Sequence, residues 1–314
     1  MMTFFNNNRQ FAAPPTEQAS MAASNAMATL TGAYYPTLQI DLDQSARALV
    51  CSMRPQGRPS FTPELLHDLT RMQSDIYLAT AAAAAEPFRY WVLRSSVPGT
   101  FNLGGDLELF GAKIRSRNRD ALKKYAHACI DLVYTTAIGY ERRLTTVALV
   151  QGAALGGGFE AALSCHHIIA ERRATFGLPE VLFNLFPGMG AYSFLSRRMD
   201  AIRAEKMILS GKIYTAAELY EMGLVDMLVE DGEGDAALGM YLAKLDRRYN
   251  THQAVLQARH RVNPLTREEL IDVVDVWVEA AMKLEEGDLR KMARLVRAQT
   301  NRHGLQPELQ QAAE

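Results

Sequence analysis

The feature that most constrains this chain is an apolar, β-branched run that empties into three glycines and then into an apolar helical segment. Thr145-Thr146-Val147-Ala148-Leu149-Val150 has the composition of a strand covered on both faces. Gln151-Gly152-Ala153-Ala154-Leu155-Gly156-Gly157-Gly158 follows, and a helix is predicted from about Phe159. Consecutive glycines at a helix start allow close approach of a ligand or another backbone, and they leave first-turn N–H groups free to donate. The unit predicts a buried strand between layers, and hence an α/β architecture.

A second glycine pair has a similar setting. Tyr90-Trp91-Val92-Leu93 reads as a short buried strand and delivers the chain into Phe101-Asn102-Leu103-Gly104-Gly105-Asp106. Taken singly, each glycine segment is also compatible with a tight turn before a helix. Neither matches a nucleotide site, since no Lys-Ser/Thr follows Gly158 and the dinucleotide spacing is absent. Two N–H groups converging from the two segments would bind an oxygen whose negative charge grows during reaction. Glu160, just inside the glycine-opened helix, and Glu180, after the turn Phe176-Gly177-Leu178-Pro179, both lie among apolar residues. Burial and mutual repulsion would raise at least one of their pKa values toward neutrality. The alternative is that Glu160 only complements the helix N-terminus while Glu180 is solvated.

The flanking sequence supplies the frame. Leu38, Ile40 and Leu42 alternate with polar residues as in a half-buried strand, and Ala48 to Met53 completes a predicted hairpin. Thr62 is a predicted N-cap, with Pro63 at the first helical position. Apolar spacing predicts a long helix from about Asp120 to Tyr140, and His166 to Ala170 is predicted to return as a strand. Thr215-Ala216-Ala217-Glu218 is a capping box, Gly223 ends its helix, and Leu224 to Val229 is strand-like. Helices are predicted from about Ala236 to Tyr249 and from Thr266 to Thr300.

These motifs identify a resemblance. NLGGD, QGAALGGGFEAAL and TFGLPEVLFNLFPGMGA, in that order, resemble the crotonase (enoyl-CoA hydratase/isomerase) superfamily over roughly Leu38 to Val229. The resemblance implies a crotonase-like ββα spiral core over residues 37–232. It also implies a helical module over 233–314 that covers the acyl pocket and mediates oligomerisation. It places the catalytic acids on Glu160 and Glu180 and an oxyanion hole on the N–H groups of Gly105 and Gly157, with Gly104 the alternative. Met189, Trp277 and Leu295 become acyl-pocket candidates. Within the superfamily, NLGGDL with LPEVLFNLFPGMGAYSFLSRR is most similar to bacterial diffusible-signal-factor synthases. That likeness implies 3-hydroxyacyl substrates on acyl carrier protein or coenzyme A, no further cofactor, and a homotrimer or hexamer. It also makes the receiver domain of a sensor kinase a candidate partner.

Composition narrows the field. The 34 basic and 35 acidic residues nearly cancel, which gives no support to nucleic-acid binding or to anchoring on anionic membrane. No run approaches the roughly 20 apolar residues of a spanning helix. Three widely spaced cysteines make a disulfide framework unexpected and point to a reducing cytoplasm. Residues 1–36 read as a flexible extension, with Phe4, Phe5 and Phe11 as the aromatics of an alternative docking segment. Asp106 is expected to be an N-cap. Cys165, His166 and His167 lack zinc-ligand spacing and read as structural. Arg115, Arg117, Arg119, Arg142 and Arg143 suit either a solvated face or an acidic carrier and its phosphates.

Overall fold

A computed structural model describes residues 27–82 and 86–302. A helical turn over residues 27–32 precedes a hairpin of β1 (Leu38–Asp43) and β2 (Ala48–Met53). Next come α1 (Pro63–Ala82), β3 (Tyr90–Ser95), β4 (Thr100–Asn102), α2 (Leu107–Arg115) and α3 (Arg119–Ala137). β5 (Thr145–Val150), β6 (Ala153–Leu155), α4 (Gly157–Ser164), β7 (His167–Glu171) and β8 (Thr175–Gly177) form the centre, followed by a 3-10 turn at Pro179–Phe183. Then follow α5 (Ala191–Arg198), α6 (Ala201–Ser210), β9 (Ile213–Thr215), α7 (Ala216–Glu221) and β10 (Met227–Val229). Four helices close the described chain: α8 (Gly234–Asp246), α9 (Tyr249–Val262), α10 (Arg267–Ala281) and α11 (Glu286–Arg302).

The strands form two sheets. The larger runs β1-β2-β3-β5-β7-β10, parallel except for the β1/β2 hairpin. The smaller runs β4-β6-β8-β9, with β4, β6 and β8 parallel. β3 then β4, β5 then β6, and β7 then β8 each place one strand in each sheet, so the chain advances as a spiral. β4, β6 and β8 are adjacent and point the same way. The segments that follow them, carrying Gly105, Gly157 and Glu180, therefore leave one edge together.

Local signals behave as their chemistry requires. Thr62 Oγ1 accepts from Leu65 N–H at the start of α1, and the Thr215/Glu218 capping box is fully formed. β5 is buried along its whole length, as its composition demands. Some boundaries move. α4 begins at Gly157 rather than near Phe159, and β7 begins at His167 rather than His166. The predicted helix from Thr266 to Thr300 is two helices broken between Ala281 and Glu286, and α9 fills a stretch left unassigned. The supposed extension is partly packed: Leu30 and Tyr35 are buried, and Tyr35 donates to Asp75 Oδ2 at 2.6 Å. Phe4, Phe5 and Phe11 lie outside the described residues.

Candidate active site

Glu160, Glu180, Gly105 and Gly157 line one cavity of about 50 Å³. Its wall is completed by Leu107, Phe110, Tyr125, Cys129, Met189, Val274 and Trp277, among others. Five elements or loops distant in sequence meet here, and the small sheet gathers three of them.

Glu160 sits in the first turn of α4 and is 1 % exposed. Its Oε1 accepts from the main-chain N–H groups of Met189 (2.7 Å) and Ala191 (2.9 Å). Burial first, and then the Glu180 charge, hold its pKa well above the usual carboxyl value, while the two N–H donors pull the other way. Glu180 lies in the 3-10 turn after β8. As a residue it is partly exposed, yet its Oε2 is buried and has no hydrogen-bond partner. Burial pushes its pKa up to about 7. Two acids of raised pKa share one cavity, an arrangement suited to acid–base chemistry near neutral pH.

The glycine backbone sets which main-chain N–H groups face the cavity. Gly156 has φ +51° and caps α4, so the first-turn N–H of Gly157 points out of the helix start. A Cβ on Gly157 would lie 3.4 Å from Gly105 N, and one on Gly104 would lie 2.9 Å from Gly157 N. The two loops therefore touch, and residues with side chains would force them apart. Gly104 N–H is already committed at 2.8 Å to Asn102 Oδ1. The N–H groups of Gly105 and Gly157 have no protein acceptor among the described residues. Of the two expected alternatives, Gly105 is the one whose N–H is uncommitted.

Tyr125, which the sequence did not single out, holds the Gly105 loop. Its hydroxyl accepts from Asp106 N–H at 3.1 Å and donates to Phe61 O, while Phe61 forms a bridge with Gly105. The only sequence hint was a tyrosine on the buried face of α3. Asp106 itself caps α2, accepting from Leu109 N–H at 3.0 Å.

Trp277 lines the cavity and meets Phe110 edge to face at 5.1 Å between ring centres. Met189 is 6 % exposed and also lines it. Leu295 does not join them. It is only partly buried on α11, whose Leu289, Met292 and Val296 line a separate groove against α2. Arg115 pairs with Glu286, Arg119 with Glu279, and Arg117 donates to Met282 O, so these three tie α2 and α3 to the C-terminal helices. Arg142 lies over the Tyr77 ring and Arg143 over Tyr249. His167 faces Asp226, and His166 is held by Thr146. Among the described residues no group of His, Cys, Asp or Glu is arranged to hold a metal.

Comparison with known proteins decides the family. The model of the enoyl-CoA hydratase/isomerase family matches residues 47–291. The chain belongs to the enoyl-CoA hydratase/isomerase family. Among its relatives, a probable enoyl-CoA hydratase 2 of Arabidopsis thaliana is 32 % identical over 180 residues, covering 57 % of this chain and 56 % of that protein. Methylglutaconyl-CoA hydratase of Rattus norvegicus is 30 % identical over 185 residues, covering 59 % of this chain and 55 % of that one. The chain thus spans little more than half the length of these curated relatives. Solved structures share the fold. Pseudomonas aeruginosa DspI has a TM-score of 0.61 at 24 % identity, covering 77 % of this chain and 88 % of its own. An enoyl-CoA hydratase from Bacillus halodurans has 0.65 at 23 % identity, covering 82 % and 99 %. The family match accords with the crotonase-like core expected from the motifs. Among the described residues no helix is long and apolar enough to cross a membrane.

Proposed function

We propose that this family member is a diffusible-signal-factor synthase. It dehydrates a 3-hydroxyacyl thioester on acyl carrier protein to the cis-2-enoyl thioester, then hydrolyses it to release a cis-2-unsaturated fatty acid for quorum sensing. The observation that carries the acid–base reading is one cavity holding two carboxyls of raised pKa beside two uncommitted main-chain donors. The finer reading rests on wording. The segment most similar to the signal synthases, residues 178–198, supplies both Glu180 and the N–H groups that hold Glu160.

In this mechanism the thioester oxygen accepts from Gly105 N–H and Gly157 N–H. The Glu180 carboxylate takes a C2 proton, and the electron pair of that C–H bond moves toward the carbonyl as an enolate. The Glu160 carboxyl gives its proton to the 3-hydroxyl, the C3–O bond breaks, water leaves and the C2–C3 double bond forms. One proton remains on the pair throughout. For hydrolysis, the carboxylate of the pair takes a proton from a water that attacks the same carbonyl carbon. The C–S bond breaks, and the carboxylic acid protonates the departing thiolate.

The test is mass spectrometry of the products from 3-hydroxyacyl-acyl carrier protein. Free cis-2-enoic acid is expected, and Glu160→Ala or Glu180→Ala should cut its formation by about 10²-fold or more. A trans-2-enoyl product retained on its carrier would make the chain an ordinary hydratase, the activity named for its curated relatives. Undiminished turnover in both variants would remove the acid–base assignment. No turnover by the parent chain, with capture of a sensor-kinase receiver domain by the double variant, would favour a binding role.

A further inference from the structure

α4 has a second end. Its eight residues span about 12 Å, and beyond Ser164 lies a separate cavity of about 80 Å³. Arg197, Arg198, Arg259, His166 and His260 line it, and no carboxylate belongs to its wall. Arg197 is paired with Glu269. Arg198 donates to the carbonyls of Leu163 and Cys165, which satisfies the negative end of α4, and its nearest counter-charge, Asp226, lies beyond ion-pair distance and outside the wall. Among the described residues neither Arg198 nor Arg259 has a carboxylate within ion-pair distance.

The imidazole of His166 adds an independent observation. The residue is 7 % exposed. Thr146 N–H donates to its Nδ1 at 3.0 Å, which fixes the ring proton on Nε2. That Nε2–H is buried and has no acceptor, and Arg197 Nε shares this condition. Burial, then the charges of its basic neighbours, keep His166 neutral, with its pKa well below the usual imidazole value. Buried donors without acceptors, on His166 Nε2 and Arg197 Nε, carry a standing free-energy cost that an acceptor of negative charge would remove.

We propose that this cavity binds a small oxyanion of the phosphate class, at a site separate from the acid–base cavity at the other end of α4. Such an anion accepts from the unmet His166 Nε2–H and Arg197 Nε–H, and it brings negative charge to a wall that carries three guanidiniums and no carboxylate. His166 reports occupancy, because its Nε2–H gains a partner.

The experiment titrates the full chain with inorganic phosphate and, separately, with the monoester glycerol phosphate, ionic strength being held constant with chloride. Proton–nitrogen correlations of the histidine side chains are followed, with His166→Gln identifying its resonance. Saturable movement of the His166 and His260 signals is expected. Arg259→Ala should weaken binding by about tenfold or more without changing turnover, and Arg259→Lys should recover part of the loss. A response to inorganic phosphate alone assigns the site to the free anion, and a response to both extends it to phosphate monoesters. Imidazole signals that ignore both ligands, as they would over a cavity filled by water, would overturn the proposal. So would phosphate binding of undiminished strength in Arg259→Ala.

Discussion

The carboxyl of Glu180 has an ordinary value near 4.5 when the chain is unfolded and about 7 when burial acts on it. Its sign is therefore destabilising: the folded state pays for ionising it fully above pH 7 and hardly at all below 4.5. Glu180→Gln is expected to raise the melting temperature at pH 8 and to leave it nearly unchanged at pH 4, as calorimetry at both values would check. The same pKa places the acid limb of the turnover profile near pH 7, with the alkaline limb set by deprotonation of Glu160. A profile flat from pH 5 to 9 would contradict that assignment. Tyr125→Phe removes the hydroxyl that joins Asp106 N–H to Phe61 O. It should lower kcat by about tenfold with little change in KM, because the loop that carries the proposed transition-state donor loosens while the proposed acyl pocket stays.

At the scale of elements, the glycines differ in what they permit. Gly156 sits at φ +51°, and a Cβ there would collide with Glu180 Oε1. Gly158 packs on the carbonyl of Asn102, and a Cβ there would drive β4 from α4. Gly156→Ala is expected to lose stability, because a Cβ is strained at this positive φ, and to lose turnover, because that Cβ displaces the Glu180 carboxyl. Gly158→Ala should cost about 1–3 kcal/mol in denaturant unfolding, because backbone must move. Full turnover in Gly156→Ala would contradict the displacement of Glu180. The hairpin, α1, β5 and the capping box were legible because each is written in local periodicity or cap chemistry. β4, β6, β8 and β9 have three residues each, too few for a period, and parts of them read as turns. The break between α10 and α11 was missed because Met282 and Leu284 continue the apolar pattern through it.

For the whole molecule, the C-terminal helices complete the site. α10 packs along α3 and sends Val274 and Trp277 into the cavity wall, while ion pairs from Arg115, Arg119 and Lys123 hold α10 and α11 in place. Each exposed pair contributes only about 0–1 kcal/mol, so the buried face of α10, Leu270, Val274, Trp277, Val278 and Ala281, does most of the fixing. Trp277→Ala should lose about 3–5 kcal/mol of stability, read from the denaturant midpoint. An unchanged midpoint would show that α10 is held by other contacts. By itself the sequence determined the strand–glycine–helix unit, the capped helices, the two candidate acids and the family, since each is carried by residues close together in the chain. Only the tertiary structure decided that Gly105 rather than Gly104 has the uncommitted N–H, that Tyr125 holds its loop, and that Leu295 stands apart from Trp277. Those outcomes depend on which groups meet in three dimensions, from the local Gly104–Asn102 contact to the Tyr125–Phe61 bond across 64 residues. Hydrogen bonds and burial between such partners are settled by packing of the two sheets and the closing helices, and leave no local periodicity to read.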